Sequence, residues 1–360
     1  MADRAARRSE IRMRLSVHSG CRATAFILAT AVSLTTESAL AQTTQIKFAL
    51  EWQIDATAAP LLVAIDKGYF KAEGLNVTIV EPVLPEPSEG ANATVKRLTA
   101  GEADMGIGDL NMLLRARDAD PPAPVKAVFV LYNKPGYAVI ARKSRGIELP
   151  TDLIGKKVGT PLKEPASALW KVFMAANALP ADRITTENIG LPVREPMLAS
   201  GQIDAVTAMS YYSFIDLKDR GVPGTDINVM LMGDFGVKMY GSSIMVSEKF
   251  ARENSETVQK FIRAFTKGLK ETIARPTHAI EPILKRNSML NKESELERLK
   301  MTIHDNIVTP ETKANGYGGI DPQRMNAAID QIAAQAEFKK KPQAGDIFDG
   351  SFLPQRKEER

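Results

Sequence analysis

The sequence predicts an α/β chain made of two similar units, and three observations carry that reading. Strand, loop, helix and strand signals follow one another from Thr44 to Pro82. The same order returns about a hundred residues later, from Gly155 to Gly190. Each unit then continues through a helix end, a glycine and a strand, at Gly101 in RLTAGEADMGIG and at Gly201 in MLASGQIDAVTA. A parallel sheet needs such crossovers, because successive parallel strands are joined through a helix.

In the first unit TQIKFAL (44–50) alternates as a strand, and APLLVAIDKGYF places Leu61, Leu62, Ile65 and Phe70 at helical spacing, with Gly68 as the stop. LNVTIVEP (75–82) is the second strand. In the second unit GKKVGT is a short strand. A helix follows with Pro165 in its first turn and Leu169, Val172, Phe173 and Ala176 on one face, and ITTENIG returns as a strand. Gly101 and Gly201 suit the left-handed position just past a helix end. Between the units VKAVFVLYNKPGYAVIARKSRG (125–146) gives two strand-like runs broken by Asn133-Lys134-Pro135-Gly136, and GDFGVKMYGSSIMVSEKF (233–250) is again extended. If the second unit is inserted into the first, the chain crosses between them at these two places. From Asn254 onward amphipathic helices dominate, and QRKEER closes the chain as a solvated tail.

Residues 1–41 stand apart. Six arginines precede the apolar run ATAFILATAVSL, and Ala39-Leu40-Ala41 supplies small residues for cleavage, the pattern of a secretory signal peptide cut before Gln42. Twelve apolar residues are too few to span a bilayer, which takes about 20. Arg7-Arg8 does not extend into a twin-arginine signal. The expected location is therefore the periplasm. The 360-residue chain carries a formal charge of +4, and without the leader 41 basic residues face 40 acidic ones. So even a balance excludes nucleic acid as a natural partner. The one cysteine, Cys21, lies in the leader, so the exported part has no disulfide, thiolate nucleophile or sulfur-ligated metal. Its histidines, His278 and His304, stand alone in charged helical surroundings, and no phosphate-binding loop of the G-x-x-x-x-G-K-[ST] type occurs. Neither a cofactor nor a metal is expected.

Ligands of parallel α/β sheets sit beyond the carboxyl ends of the strands, where helix N-termini present unpaired N–H groups. Here those places are LEWQIDATAAP (50–60), GIGDLNML, GTPLKEPAS and AMSYYSF. Trp52 can stack on a planar ligand, with Gln53 beside it, or pack its own lobe. Asp55, Asp109 and Asn111 can meet a ligand or serve as helix caps. Gly108 brings backbone to the edge; Thr160, Lys163 and Ser167 flank a helix start; Ser210 and Tyr211 follow the last strand. Tyr211 and Tyr212 point opposite ways if their backbone is extended. Lys134, Tyr137, Phe235 and Tyr240 lie at the crossings. Glu51 and Asp55 can be imagined as an acid and base pair, but their spacing in a loop fixes no distance.

The runs FALEWQIDATAAPLLVAIDKGYFKAEGLNVTIVEP, AGEADMGIGD, SGQIDAV, NGYGGID and DIFDGSFLP resemble the NMT1/THI5-like solute-binding proteins of ATP-binding-cassette importers for sulfonates, nitrate, riboflavin and thiamine-precursor pyrimidines. The resemblance spans about Gln42 to Pro354. It implies a two-lobe periplasmic binding protein of type II with two hinge-strand crossings: 42–138 as the first part of lobe 1, 139–238 as lobe 2, and 239–360 completing lobe 1. It also implies a monomer with a small-molecule ligand and a membrane permease as transient partner, and no catalysis. One departure concerns the ligand. Pyrimidine-binding members carry a histidine six residues after the tryptophan, where this chain has Ala58, and the related eukaryotic synthases add a cysteine-rich motif that is missing here. An organic ligand with a planar part, pyrimidine or flavin type included, ranks first. A small sulfonate, carboxylate or nitrate anion ranks second, favoured if Lys134 or Lys163 points inward. An exported enzyme, or a receptor that signals without transport, is the remaining reading.

Overall fold

A computed structural model describes residues 43–82, 92–162 and 164–354. The segment expected to be a signal peptide, Lys163 and the tail from Gln355 lie outside the described residues. The strands are β1 (Thr44–Ala49), β2 (Leu75–Val80), β3 (Met105–Asp109), β4 (Val125–Val130), β5 (Tyr137–Arg142), β6 (Lys157–Gly159), β7 (Thr185–Glu187), β8 (Ala205–Met209), β9 (Ile227–Leu231) and β10 (Ser242–Ser247). The main helices are α1 (Ala59–Asp66), α2 (Ala93–Ala100), α3 (Leu110–Arg117), α4 (Trp170–Ala176), α5 (Arg194–Ser200), α6 (Ser210–Asp219), α7 (Ser255–Ala274), α8 (Lys292–Met301) and α9 (Pro322–Ala333).

Two five-stranded sheets result, in the orders β2-β1-β3-β10-β4 and β7-β6-β8-β5-β9. In each, three parallel strands come first, then a strand arriving from the other lobe pairs antiparallel with the third, and the last strand pairs antiparallel with that newcomer. The sequence repeat is therefore a repeat of topology. Strands β4 and β5 lie in different sheets, as do β9 and β10, so the chain crosses between lobes at 131–136 and 236–241. The expected division after 138 falls two residues into β5, which begins at Tyr137.

Gly101 and Gly201 end α2 and α5 with φ of +74° and +84°, a conformation that costs residues with a Cβ about 1 kcal/mol or more. Helix α7 buries Phe261 against Phe48 and Phe70, with ring centroids 5.2 and 4.7 Å away. It approaches α1 so closely that a Cβ on Gly268 would stand 2.3 Å from the Pro60 carbonyl oxygen. Among the described residues no helix is long and apolar enough to cross a membrane.

Local expectations needed correction in three places. The single helix expected from Pro165 breaks at Leu169 into Pro165–Ala168 and α4, and Ala176 is exposed while Leu169, Val172 and Phe173 are buried. The stretch 233–250 is not extended throughout: Met232–Phe235 is a 3-10 turn, and Glu248–Glu253 is a helix capped by the Ser247 side chain. Tyr211 and Tyr212 sit in α6 rather than on a strand, because the chain turns helical as soon as β8 ends and the Ser210 N–H closes on the Gly136 carbonyl at 2.7 Å.

Candidate functional site at the facing sheet edges

The carboxyl ends of β1, β3, β6 and β8 lead into the loops or helix starts singled out in the sequence. In lobe 1 Asp109 ends β3 and caps α3, accepting from the Met112 N–H at 3.0 Å. Its other oxygen accepts from the Tyr137 hydroxyl at the start of β5. Glu51 lies beside it, accepting from the Ser242 hydroxyl at 3.0 Å. Burial first, and the Asp109 charge second, push the Glu51 carboxyl up to about 8, while burial lifts Asp109 to about 6 against the pull of Tyr137 and the capped N–H groups. Two carboxyls so close resist holding two charges. Asp109, with its fixed donors, carries the charge, and Glu51 keeps the proton near neutral pH.

Asp55 is buried and accepts from the Thr57 N–H (2.8 Å) and hydroxyl (2.6 Å), capping the turn before α1. Its second oxygen takes the Tyr212 hydroxyl from the other lobe at 2.9 Å. The Tyr212 ring is tilted 52° to Trp52 at 6.3 Å and lies 4.9 Å under the Arg298 guanidinium of α8. Arg298 also donates to the Tyr211 carbonyl at 2.8 Å. Trp52 itself is 43 % exposed on this rim, and Gln53 beside it is exposed too. Further along, Lys218 pairs with Glu297 at 2.7 Å and Arg115 donates to the Ala168 carbonyl at 3.2 Å. The lobes thus meet through polar contacts on both sides of the edges.

Within this arrangement two predicted residues are poorly satisfied. Asn111, in the first turn of α3, is fully buried with neither side-chain amide atom partnered, and the buried Ser210 hydroxyl at the start of α6 has no partner either. An unmet buried polar group costs about 1–3 kcal/mol, a cost that a hydrogen-bonding partner from outside the chain would relieve. Ser167 is satisfied, by the Thr207 hydroxyl at 2.7 Å, and Thr160 by the Glu187 carbonyl. Helix α6 begins without a side-chain cap, unlike α3.

Other predicted residues have structural employment. A Cβ on Gly108 would stand 3.2 Å from both Thr94 and Met245, so this glycine permits packing inside the sheet. Lys134 is ion-paired to Asp234 at 2.5 Å, Phe235 packs edge-on against Phe173, and Tyr211 is buried against Tyr132 and Tyr212. Tyr240 bonds Glu311 and Asp321 at the crossing, away from the edge groups. Sequence reasoning missed the buried triad of Arg194 with Glu164 and Glu195, and also Tyr132, Arg298 and Glu295, which receives the Ala56 N–H at 2.7 Å. Only Glu164, in the loop after β6, had a positional signal. Among the described residues no three His, Cys, Asp or Glu side chains assemble a metal site.

Two sheets of matching order, joined by two crossings, with unmet polar groups at their carboxyl edges, define the two-lobe fold of periplasmic binding proteins. The chain belongs to the NMT1/THI5-like family, whose sequence profile matches residues 55–279. It is 26% identical over 306 residues to a formylaminopyrimidine-binding protein of Halalkalibacterium halodurans, covering 83% of this chain and 88% of the relative. The riboflavin-binding protein RibY of Chloroflexus aurantiacus is 27% identical over 66% of this chain and 65% of its own length. A 4-amino-5-hydroxymethyl-2-methylpyrimidine phosphate synthase of Aspergillus parasiticus is 28% identical over 66% and 70%. Among solved structures, the periplasmic aliphatic sulphonate binding protein SsuA of Escherichia coli superposes with a TM-score of 0.64 at 15% identity, covering 83% of this chain and 94% of that one. The periplasmic nitrate-binding protein NrtA of Synechocystis gives 0.63 at 11%, covering 86% and 87%.

Proposed function

We propose that this protein is an exported, monomeric receptor that closes two lobes on a small organic ligand with a planar part, pyrimidine- or flavin-like, and presents it to the permease of an ATP-binding-cassette importer without transforming it. The observation that carries the reading is the rim where Trp52 of one lobe meets Tyr212 of the other, with Asn111 and Ser210 buried and unpartnered at the same strand edges. Aromatic faces bind a flat ring, and an amide offers it both a donor and an acceptor. Relatives named for a formylaminopyrimidine and for riboflavin support this class. The lobes divide at the crossings, so that 42–138 with 239–360 move against 139–238. Ligand contacts that require both lobes favour the closed form by their differential affinity, and the permease reads that form.

Synthase relatives do not transfer their chemistry, in our reading, because Ala58 fills the histidine position and the exported part lacks cysteine. The anion reading gains nothing from Lys134, whose charge is already met by Asp234. A thermal-shift screen of Gln42–Arg360 against pyrimidines, flavins, aromatic acids, sulfonates and nitrate tests the proposal. A planar ligand at about 100 times its Kd adds about 2.7 kcal/mol. A shift with anions alone would overturn the planar reading, and turnover of a bound compound would overturn the receptor.

A further inference from the structure

The motif NGYGGID and the helix after it are not used by the ligand site, yet they hold both crossings between the lobes. Arg324 in the first turn of α9 has all five guanidinium N–H groups engaged. Nε donates to the Lys238 carbonyl (2.9 Å), and Nη2 to the carbonyls of Met239 (3.0 Å) and Asn133 (2.8 Å). Nη1 reaches the Asn133 side chain (3.3 Å) and Glu311 (2.8 Å). Asn133 belongs to the first crossing; Lys238 and Met239 belong to the second. One planar fork therefore joins the two connecting segments, 131–136 and 236–241, by which the chain passes between the lobes.

The fork is itself held. The Tyr240 ring lies 3.9 Å from the guanidinium carbon, and the Tyr240 hydroxyl donates to Glu311 and accepts from the Asp321 N–H, both at 2.8 Å. Asp321 caps α9 by accepting from the N–H groups of Gln323 and Arg324. Gly318, in the same motif, accepts from the N–H of Val130, the last residue of β4. Thr309 donates to the Asn133 side chain at 2.7 Å, and Asn306 exchanges two hydrogen bonds with the backbone of Lys134.

We infer that Arg324 is a positioning residue of the hinge: it ties 131–136 to 236–241, so that the lobes turn about one shared axis instead of twisting independently. A lysine offers three donors from a point and cannot serve both crossings in this geometry. The inference rests on the reading that the lobes move against each other, and its test is made without ligand so that the two can fail separately.

The full chain carrying Cys21→Ser receives spin labels through Leu149→Cys in the second lobe and Met289→Cys in the first, positions 57% and 93% exposed. Pulsed electron spin resonance then gives the interlobe distance distribution, and hydrogen exchange follows the amides of β3 and β8. Arg324→Ala is expected to widen the distribution at least twofold while both strands keep their protection, and Arg324→Lys to do so by a smaller factor. An unchanged width in both variants overturns the inference. So does loss of protection in both strands in the lysine variant, because Arg324 would then be a general stabiliser. Riboflavin is added afterwards to the unsubstituted labelled protein. A distribution that does not respond counts against the proposed cargo and leaves the hinge result standing.

Discussion

Replacing Glu51 by glutamine should remove a fall in stability that the protein suffers as pH rises from about 5 to about 8. In the folded chain burial and the neighbouring Asp109 raise the Glu51 carboxyl from 4.5 to about 8, whereas unfolding returns it to water. Between those values the folded state holds a proton that the unfolded state has released, so stability drops as pH rises, by up to about 1.4 kcal/mol per unit. Over a window of roughly three units that gives an upper bound of about 4 kcal/mol. Solvent reaches part of the Glu51 side chain and weakens the effect, so about 2 kcal/mol is the expected loss. Glutamine keeps an acceptor for the Ser242 hydroxyl and has no charge to repel Asp109. Urea unfolding at about pH 5 and about pH 8 supplies the comparison. The unsubstituted protein should lose about 2 kcal/mol more than Glu51→Gln between the two. Parallel pH curves for the two proteins would refute the protonated Glu51 and, with it, the electrostatic description of this edge.

Asn111→Leu replaces an amide with no partners by an apolar side chain of similar size, and should raise unfolding stability by about 1–2 kcal/mol while abolishing the ligand-induced thermal shift. A stable variant that still binds would remove Asn111 from the site. Trp52→Phe should abolish ligand quenching of fluorescence, since the other tryptophan, Trp170, is buried in lobe 2 with its indole N–H on Thr186; unaltered quenching would place the ligand elsewhere. Arg194→Met leaves Glu164 and Glu195 buried together and should cost about 3–5 kcal/mol at neutral pH, measured by urea unfolding. Burial raises Glu164, so the penalty should shrink as pH falls and that carboxyl takes up a proton.

What the sequence determined by itself was local or periodic. The strand and helix pattern, the glycine stops at Gly101 and Gly201 and the hundred-residue repeat are written in side-chain spacing and backbone preference, which act between near neighbours. Asp109 as a helix cap, and the strand edges as the place to look, follow from the same rules. The roles of individual edge residues were decided elsewhere. Tyr212 bonds Asp55 across 157 positions and Arg324 reaches Asn133 across 191, contacts that leave no trace in either neighbourhood. Glu51 and Asp109 become an electrostatically coupled pair only because β1 and β3 pair in one sheet and β10 brings Ser242 beside them. Tertiary placement acts in the same way: it leaves the buried Asn111 without a partner, brings Asp234 to Lys134 and turns Gly108 into a packing position. Desolvation and charge pairing depend on distance in space, and only the folded arrangement of the chain sets those distances.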